Sequence, residues 1–453
     1  MASPTSRWRG APWQGALTAS GWGFVGTGVV VLLAAQLMGR RDLLHLAVFL
    51  LLVPAVAWLA NRLFRPGLSV DRASDPPVVE AGHTAEVRLG VGHTGVLVGR
   101  LSMAEHLPAS LGEGPDFAYP GRTVGTDGAS RYRYQLACPH RGLYLLGPVE
   151  ARSSDIFGLA EQRTRIDSGT RLTVTPAPVP LAASVLSGLR GIDGVIATRM
   201  QANPSEDDVM TREYRHGDPM RRVHWAATAR QGQLMVRQEE SATSPEATIV
   251  LDLRRDAFPT ATGRPAPPGE WAPGPPEFEW AVTATMSVAA HLAELDYTLR
   301  LLDADGTLAL SHSPSSPAPD APDFSGREGL AALAEGLAAI LPRNGENAPL
   351  APAIAAHPSE GFGDLLLDRI EAHRQRGPLV AILGRTSAQD ARVLAPAAAS
   401  AERALALVVT DRPGACRGAV QTLRAAGWLA IEATAHTRLE SAWLALTSGM
   451  PPW

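Results

Sequence analysis

Apolar and polar positions fall into three successive patterns along this 453-residue chain. The first pattern is an absence of polarity. No charged residue lies between Arg9 and Arg40, and the core of that stretch, Gly21 to Met38, contains a Val-Val-Val-Leu-Leu run. Arg40-Arg41-Asp42 follows, and a second uncharged stretch runs from Leu43 to Ala60. Each stretch reaches about 18 residues, the length that crosses a ~30 Å hydrocarbon layer. Trp22 and Trp58 sit near the segment ends, where indole rings favour the lipid–water interface. Residues 1–65 are therefore predicted to form a two-helix transmembrane hairpin. A second span directly after the first argues against a cleaved signal peptide. Arg7, Arg9, Arg62 and Arg65 flank the hairpin, against Arg40 and Arg41 in its turn. The positive-inside rule then places both termini and the bulk of the chain in the cytoplasm.

From residue 66 to 180 the apolar positions recur every second residue. Val87, Leu89 and Val91 alternate with Glu86, Arg88 and Gly90, and Tyr132, Tyr134 and Leu136 with Arg131, Arg133 and Gln135. Leu172 and Val174 repeat the pattern. Period two marks half-buried strands, and short strands divided by Gly, Pro and Asp clusters predict a small antiparallel β-sandwich module. Within it, Arg141 to Pro148 leads to Asp155-Ile156-Phe157-Gly158-Leu159, which reads as strand, tight turn, strand, turn. Asp155 is placed to hydrogen-bond its own turn.

Residues 246–453 alternate strands with helical stripes. Strands are predicted over 247–253, 297–303, 378–383, 404–409 and 428–431, and helices over 277–295, 329–341, 417–426 and 438–446. Such alternation predicts a parallel sheet covered on both faces, a Rossmann-like α/β domain. The proline-rich or polar stretches 258–276, 311–325 and 342–360 are expected to be solvated, mobile or partner-facing insertions.

Between these regions, residues 181–245 form a linking segment that carries the densest pattern. Arg212-Glu213-Tyr214-Arg215-His216-Gly217-Asp218-Pro219-Met220-Arg221-Arg222-Val223-His224-Trp225 continues through Arg230 to Leu234-Met235-Val236-Arg237. Gly217-Asp218-Pro219 is a turn signal. Residues 223–228 read as a short helix or strand with Trp225 buried, and Leu234 to Gln238 as a strand. The arginines admit three readings. They lock a loop onto a neighbouring domain through Arg–carboxylate forks, they dock an acidic partner segment, or they bind phosphate or nucleic acid. Glu239 and Glu240 weaken the last reading. His216, Asp218 and His224 lack metal-ligand spacing.

Composition narrows the chemistry. All 41 Lys plus Arg residues are arginine. Without lysine the chain has no Schiff-base nucleophile, no P-loop lysine and no kinase strand lysine. A net charge of −4 gives no general field for nucleic acid, and two distant cysteines, Cys138 and Cys416, make no disulfide framework. Neither a glycine-rich dinucleotide turn nor a G-x-S-x-G elbow is present, so no cofactor is expected.

Residues 212–225, with Ala229-Arg230 and Leu234-Met235-Val236, resemble the signature of the bacterial "domain of unknown function 58" membrane protein family. Arg141-Gly142, Gly147-Pro148 and Asp155 with Phe157-Gly158-Leu159 form a weaker match, in which Ile156 stands where the family usually has proline. The resemblance implies a von Willebrand factor A-like domain. It also implies partnership with a MoxR-type AAA+ ATPase, often beside a transglutaminase-like membrane protein. Metal-binding von Willebrand A domains carry D-x-S-x-S after the first strand. Here Asp252 is followed by Arg254 and Asp256 in place of the serines. An arginine puts positive charge where a cation would sit, so this degenerate site is expected to hold no metal. Asp252, Arg254 and Arg255 are expected to shape a contact surface instead.

The leading expectation is a membrane-anchored, non-catalytic adaptor. Its interaction or structural residues would be Arg212, Glu213, Tyr214, Arg215, Gly217, Asp218, Arg221, Arg222, His224, Trp225 and Arg230, with the arginines holding the β and α/β regions together. The alternatives are a hydrolase built on His216, Asp218 and His224, and a weak nucleic-acid or phosphate-binding module.

Overall fold

The computed structural model describes residues 14–63, 67–94, 100–121, 123–124, 129–182, 211–214, 220, 223–237, 245–259, 271–343, 362–372 and 377–448. A short strand, β1 (Gln14–Leu17), precedes two antiparallel helices, α1 (Ala19–Met38) and α2 (Arg41–Leu63). The Thr18 hydroxyl caps α1 by accepting from Gly21 N at 3.2 Å. Gly39 ends the helix with φ 64°, a left-handed conformation that glycine adopts without a Cβ penalty. Both helices are long and apolar enough to cross a membrane, and only 17% of each apolar stretch is buried inside the protein. A core helix of a soluble protein would be mostly covered. The helices meet along small residues: Gly28 and Ala35 of α1 are buried, as are Ala47 and Ala57 of α2, while Gly21 is covered by Leu159. At Gly28 a Cβ would come within 2.9 Å of Leu51, so the close approach depends on glycine.

The β region contains β2 (Gly67–Asp75), β3 (Val78–Glu80), β4 (Thr84–Thr94), β5 (Arg100–Glu105), β6 (Asp116–Tyr119), β7 (Thr123–Val124), β8 (Ser130–Ala137), β9 (Gly142–Leu146), β10 (Val149–Ser154), β11 (Ala160–Arg165) and β12 (Thr170–Thr175). A four-stranded sheet, β2-β4-β8-β7, faces two others: β3-β12-β9, and β1-β11-β10-β5-β6. The period-two pattern explains the layers. Ala85, Val87 and Leu136 pack on Tyr144, Leu146, Leu172 and Val174, while Val91 packs on Leu101, Met103, Val149 and Ala151. The expected sandwich thus has one face split between two sheets. β1 was invisible to periodicity; it pairs antiparallel with β11, from Gln14 opposite Arg163 to Leu17 opposite Ala160. The module also buries an ion cluster. Arg72 Nε donates to Glu105 at 2.6 Å, and Arg72 Nη1 to Asp167 at 2.8 Å.

A two-stranded ribbon, β13 (Thr211–Glu213) with β14 (Met235–Arg237), encloses the seven-residue α3 (Trp225–Gln231).

The α/β region holds β15 (Glu246–Leu251), α4 (Pro276–Glu294), β16 (Thr298–Asp303), α5 (Gly326–Ala338), α6 (Asp364–Glu371), β17 (Pro378–Leu383), α7 (Ala388–Leu394), β18 (Arg403–Thr410), α8 (Arg417–Ala425), β19 (Leu429–Thr434) and α9 (Leu439–Ser448). Its five strands are parallel, in the order β16-β15-β17-β18-β19. Strands buried on both faces read as continuous apolar runs, as in Thr-Ile-Val-Leu of β15 and the wholly buried β17. One face packs on α4, α5 and α9 around Phe278, Leu292, Leu337 and Trp443; the other packs on α6, α7 and α8 around Leu366, Leu394 and Leu423. Each of these fully buried large side chains contributes roughly 1.5–3 kcal/mol. The 311–325 stretch departs from its expected mobility. Ser313 Oγ donates to Gly336 O, Ser315 Oγ to Glu335 O at 2.6 Å, and Phe324 bridges to Leu299. Its serines satisfy carbonyls near the end of α5, a need that polarity alone does not reveal.

Candidate functional site

In sequence order the sheet strands run 2-1-3-4-5, so the chain reverses direction between β15 and β17, where open α/β sheets place their ligands. Asp252 follows β15 at that point and is fully buried. Its Oδ1 accepts from Arg254 N and Arg254 Nε, both at 3.0 Å; its Oδ2 accepts from Arg254 Nη2 at 2.9 Å and Gly384 N at 3.2 Å. The Arg254 guanidinium also lies over the Phe362 ring at 4.8 Å and 3.9 Å from Asp390. Burial works against its charge, but Asp252, joined by Asp390 and Asp256, outweighs burial and raises its pKa.

A second arginine fills the neighbouring position. Asp303, at the end of β16, accepts from Leu253 N at 3.0 Å and from Ala304 N at 2.6 Å through Oδ1, and from Arg343 Nη2 at 2.8 Å through Oδ2. Arg343 Nη2 also donates to Asp305 and to Thr307, each at 3.0 Å. The backbone joins in, with Arg343 N donating to Leu253 O at 2.7 Å and Arg255 N to Arg343 O at 2.9 Å. Burial pushes the Asp303 carboxyl up to about 6, with Asp305 and Asp252 adding to the effect and Arg343 opposing it. The edge is thus built from carboxylates already engaged by guanidinium groups and backbone amides. The contact surface expected from Asp252, Arg254 and Arg255 is revised: Asp252 is interior, Arg254 is half-buried above it, and Arg255 and Asp256 are exposed. The cause is the two-residue reach of Arg254 back onto its own strand end. Among the described residues, no group of three His, Cys, Asp or Glu side chains is arranged to hold a metal.

The joint between the β and α/β regions rests on Arg141, which is 3% exposed. Its Nε and Nη2 fork onto Glu279 at 2.7 and 2.9 Å. Nη1 donates to Leu337 O at 2.7 Å and Ala338 O at 3.1 Å, and Nη2 to Ile340 O at 3.0 Å. These carbonyls belong to the end of α5 and the residues just beyond it. Helix C-terminal carbonyls lack intrahelical partners and attract a cation, so one guanidinium meets several unsatisfied acceptors. Trp271 Nε1 donates to Arg141 O at 2.8 Å, and its ring lies so close to Gly142 that no Cβ fits there. Part of the expected 258–276 insertion is therefore packed into the joint.

Of the signature residues, Arg215, His216, Gly217, Asp218, Arg221 and Arg222 lie outside the described residues, as does the side chain of Arg212. The backbone of Arg212 pairs with Val236, that of Glu213 with Met235, and Tyr214 N donates to Leu234 O at 2.8 Å. His224 caps α3, its Nδ1 accepting from Ala227 N at 3.1 Å. That bond occupies the nitrogen a general base would use and places the ring proton on Nε2. Arg230 is exposed in the last turn of α3. The expectation of a buried Trp225 is wrong, for its side chain is 65% exposed. The ribbon's buried positions are taken by Val223, Met235 and Val236, and helix geometry turns the residue after the cap outward. The part expected of the signature arginines at the domain joint falls on side chains that are mostly outside the described residues; among the described ones, Arg141 of the weaker motif bonds across the joint. Nothing in the sequence marked Arg343.

These features define a class: a protein with two apolar N-terminal helices, several β-sheets and an α/β region whose ligand edge is filled by ion pairs. A family model described as "Protein of unknown function DUF58" matches residues 210–262, which span the ribbon, α3, β15 and the Asp252–Arg254 pair. That match supports the family which the signature resembles. No curated protein matches the chain. Among solved structures, it is similar to the CARDB domain of a protein from Pyrococcus furiosus, crystallised in complex with di-metal ions, at 15% identity and a TM-score of 0.16. The likeness covers 24% of this chain and 94% of that one.

Proposed function

We propose that the chain is a membrane-anchored, non-catalytic interaction protein that works with a MoxR-type AAA+ ATPase in assembling or activating envelope proteins. The observation that carries this reading is the exposed Trp225, at 65%, in the segment matched by the family model. The polar groups around it are used internally: His224 caps the helix, and Thr228 Oγ1 donates to His224 O while accepting from Met235 N. A ribbon that presents a large indole, with Met220 58% exposed in the same segment, suits a protein contact. The engaged carboxylates at the sheet edge favour a binding role over a hydrolytic one. The α/β region reads as a von Willebrand factor A-like domain, supported by the position of Asp252 after the first strand of its parallel sheet. The two apolar helices serve as the anchor, with both termini and the bulk of the chain in the cytoplasm. A transglutaminase-like membrane protein is a further candidate partner.

The test uses the full chain in lipid nanodiscs with the purified ATPase. Binding and altered ATP turnover are expected, and Trp225→Ala weakens both while leaving the melting temperature within a degree or two, since exposed substitutions change stability by about 0.5 kcal/mol or less. Absence of binding, or equal binding by Trp225→Ala, removes the proposal. A C-terminal reporter active only outside the cytoplasm reverses the orientation if it lights up.

A further inference from the structure

We infer that the turn Asp155-Ile156-Phe157-Gly158-Leu159 is a third membrane contact, which dips apolar side chains into the lipid interface beside the two helices. The inference rests on the reading of α1 and α2 as membrane spans.

The turn is fixed from below and bare on top. Asp155 holds it, Oδ2 accepting from Phe157 N at 2.9 Å and Oδ1 from Ala160 N at 2.6 Å. Ile156 and Phe157 are nevertheless each 73% exposed. An ordered turn with two large apolar side chains in water is an expensive arrangement unless something covers them.

The position of the turn identifies the cover. Thr18, the cap of α1, donates its hydroxyl to Gly158 O at 2.7 Å and its amide to Leu159 O at 2.9 Å. Leu159 O lies so close to Gly21 that no side chain fits between them. On the second helix, buried Asn61 donates to Ala160 O at 3.2 Å. The turn is therefore bonded to the feet of both helices, level with the start of α1. Trp22 lies one helical turn further along, about 6 Å at 1.5 Å per residue. Trp22 and Trp58 line one groove with Val25, Leu51 and Pro54, so both indoles mark the same membrane interface. Two basic residues sit at this level. Arg62 stacks over Trp58 at 5.1 Å, and exposed Arg100 pairs with Ser154 next to the turn. Guanidinium groups beside aromatic rings suit anionic headgroups. The occupant is thus a lipid surface, continuous with the one the helices already require. Its consequence is orientation. Helices, β1 and the turn together would hold the β module at a fixed attitude to the bilayer.

The experiment places single cysteines in the full chain, labels them with an environment-sensitive fluorophore and reconstitutes the protein in mixed phosphatidylcholine and phosphatidylglycerol vesicles. Cys138 and Cys416 are buried, and the unmutated chain serves as the labelling blank. Phe157→Cys and Ile156→Cys report the turn. Val30→Cys, on an outward position of α1, reports the bilayer, and Glu113→Cys reports water. The expected result is blue-shifted emission at 157 or 156, quenching by spin-labelled lipid, and a several-fold loss of quenching by aqueous iodide relative to 113. If 30 is quenched by lipid while 157 and 156 respond to iodide like 113, the turn contact is overturned and the anchor stands. Protection at the turn from both quenchers means that protein covers it, which also overturns the inference. If 30 is not quenched by lipid, the membrane reading itself fails.

Discussion

Arg254 and Arg141 use the same chemistry in two regions with opposite reach. Arg254 folds back two residues onto Asp252 and fills a ligand position with the chain's own charge. Arg141 spans 138 residues of sequence to Glu279 and gathers three carbonyls from the end of another helix region. A guanidinium stays charged when buried, so each site keeps a full positive charge among acceptors that need it. The local pair closes a site within one domain; the distant fork fixes how two regions meet. The difference teaches that an arginine's role follows from where its acceptors come from.

The comparison breaks most sharply at Arg141. Arg141→Ala leaves Glu279 with the Gly274 amide but no guanidinium, and the carbonyls at the end of α5 without Arg141; removing one partner of a buried pair costs about 3–5 kcal/mol. A large drop in the melting temperature of the full chain in detergent is expected, with protease cutting between the β and α/β regions. Arg141→Lys should recover little, because an ammonium cannot fork to Glu279 while reaching three carbonyls.

Arg254→Ala comes next. It strands Asp252, which still accepts from Gly384 N, so the loss is expected near 2–3 kcal/mol for a charged group left partly satisfied. Adding Asp252→Asn should return part of it, and equal stability of single and double variants would show that the pair is not coupled. The filled edge also predicts no rise in the wild-type melting temperature on adding Mg²⁺. Arg254→Ser with Asp256→Ser restores the oxygen pattern and is the variant in which such a rise is looked for.

Asp303 tests the edge through pH. Its folded pKa, about 6, lies above the ordinary carboxyl value. Below both values the group is protonated folded and unfolded, and its stabilising contribution is fully present. That contribution is lost as pH rises through about 6. Thermal melts from pH 4 to 7 should therefore show Asp303→Asn gaining relative to wild type as pH rises, by up to about 3 kcal/mol. A pH-independent difference would place the Asp303 pKa at its usual value.

The smallest expected effect is Trp271→Phe, which removes the indole donor to Arg141 O and leaves that carbonyl only the long 3.4 Å bond from the Tyr144 hydroxyl, at about 1 kcal/mol. It separates the ring's hydrogen bond from the fork itself.

Much of the fold was legible before the structure. The uncharged runs gave α1 and α2, period two gave β4, β8 and β12, and the apolar blocks gave all five parallel strands. What escaped depended on distant partners. β1 has no pattern of its own and is a strand because β11 offers it an edge. α6 and α7 are short, and α7 is marked chiefly by the Ser387–Asp390 capping box. The 311–325 stretch looked mobile until its serines met the end of α5. At the candidate site the sequence showed Asp252 with Arg254 where metal ligands would stand, but not the fork between them. Trp225 looked like a core residue because aromatic residues are often buried, and only the ribbon's geometry turned it outward.

The sequence by itself determined the apolar spans, the layer order and the absence of lysine chemistry, because these depend on residue type and local period. Tertiary structure decided which arginine joins the regions, which carboxylates are already engaged, and that Ile156 and Phe157 stand bare at the feet of the helices. The joint and the bare turn depend on partners about a hundred residues or more apart, and the engaged carboxylates on how Arg254 folds back and Arg343 reaches across 40 residues, none of which a hydrophobic period encodes.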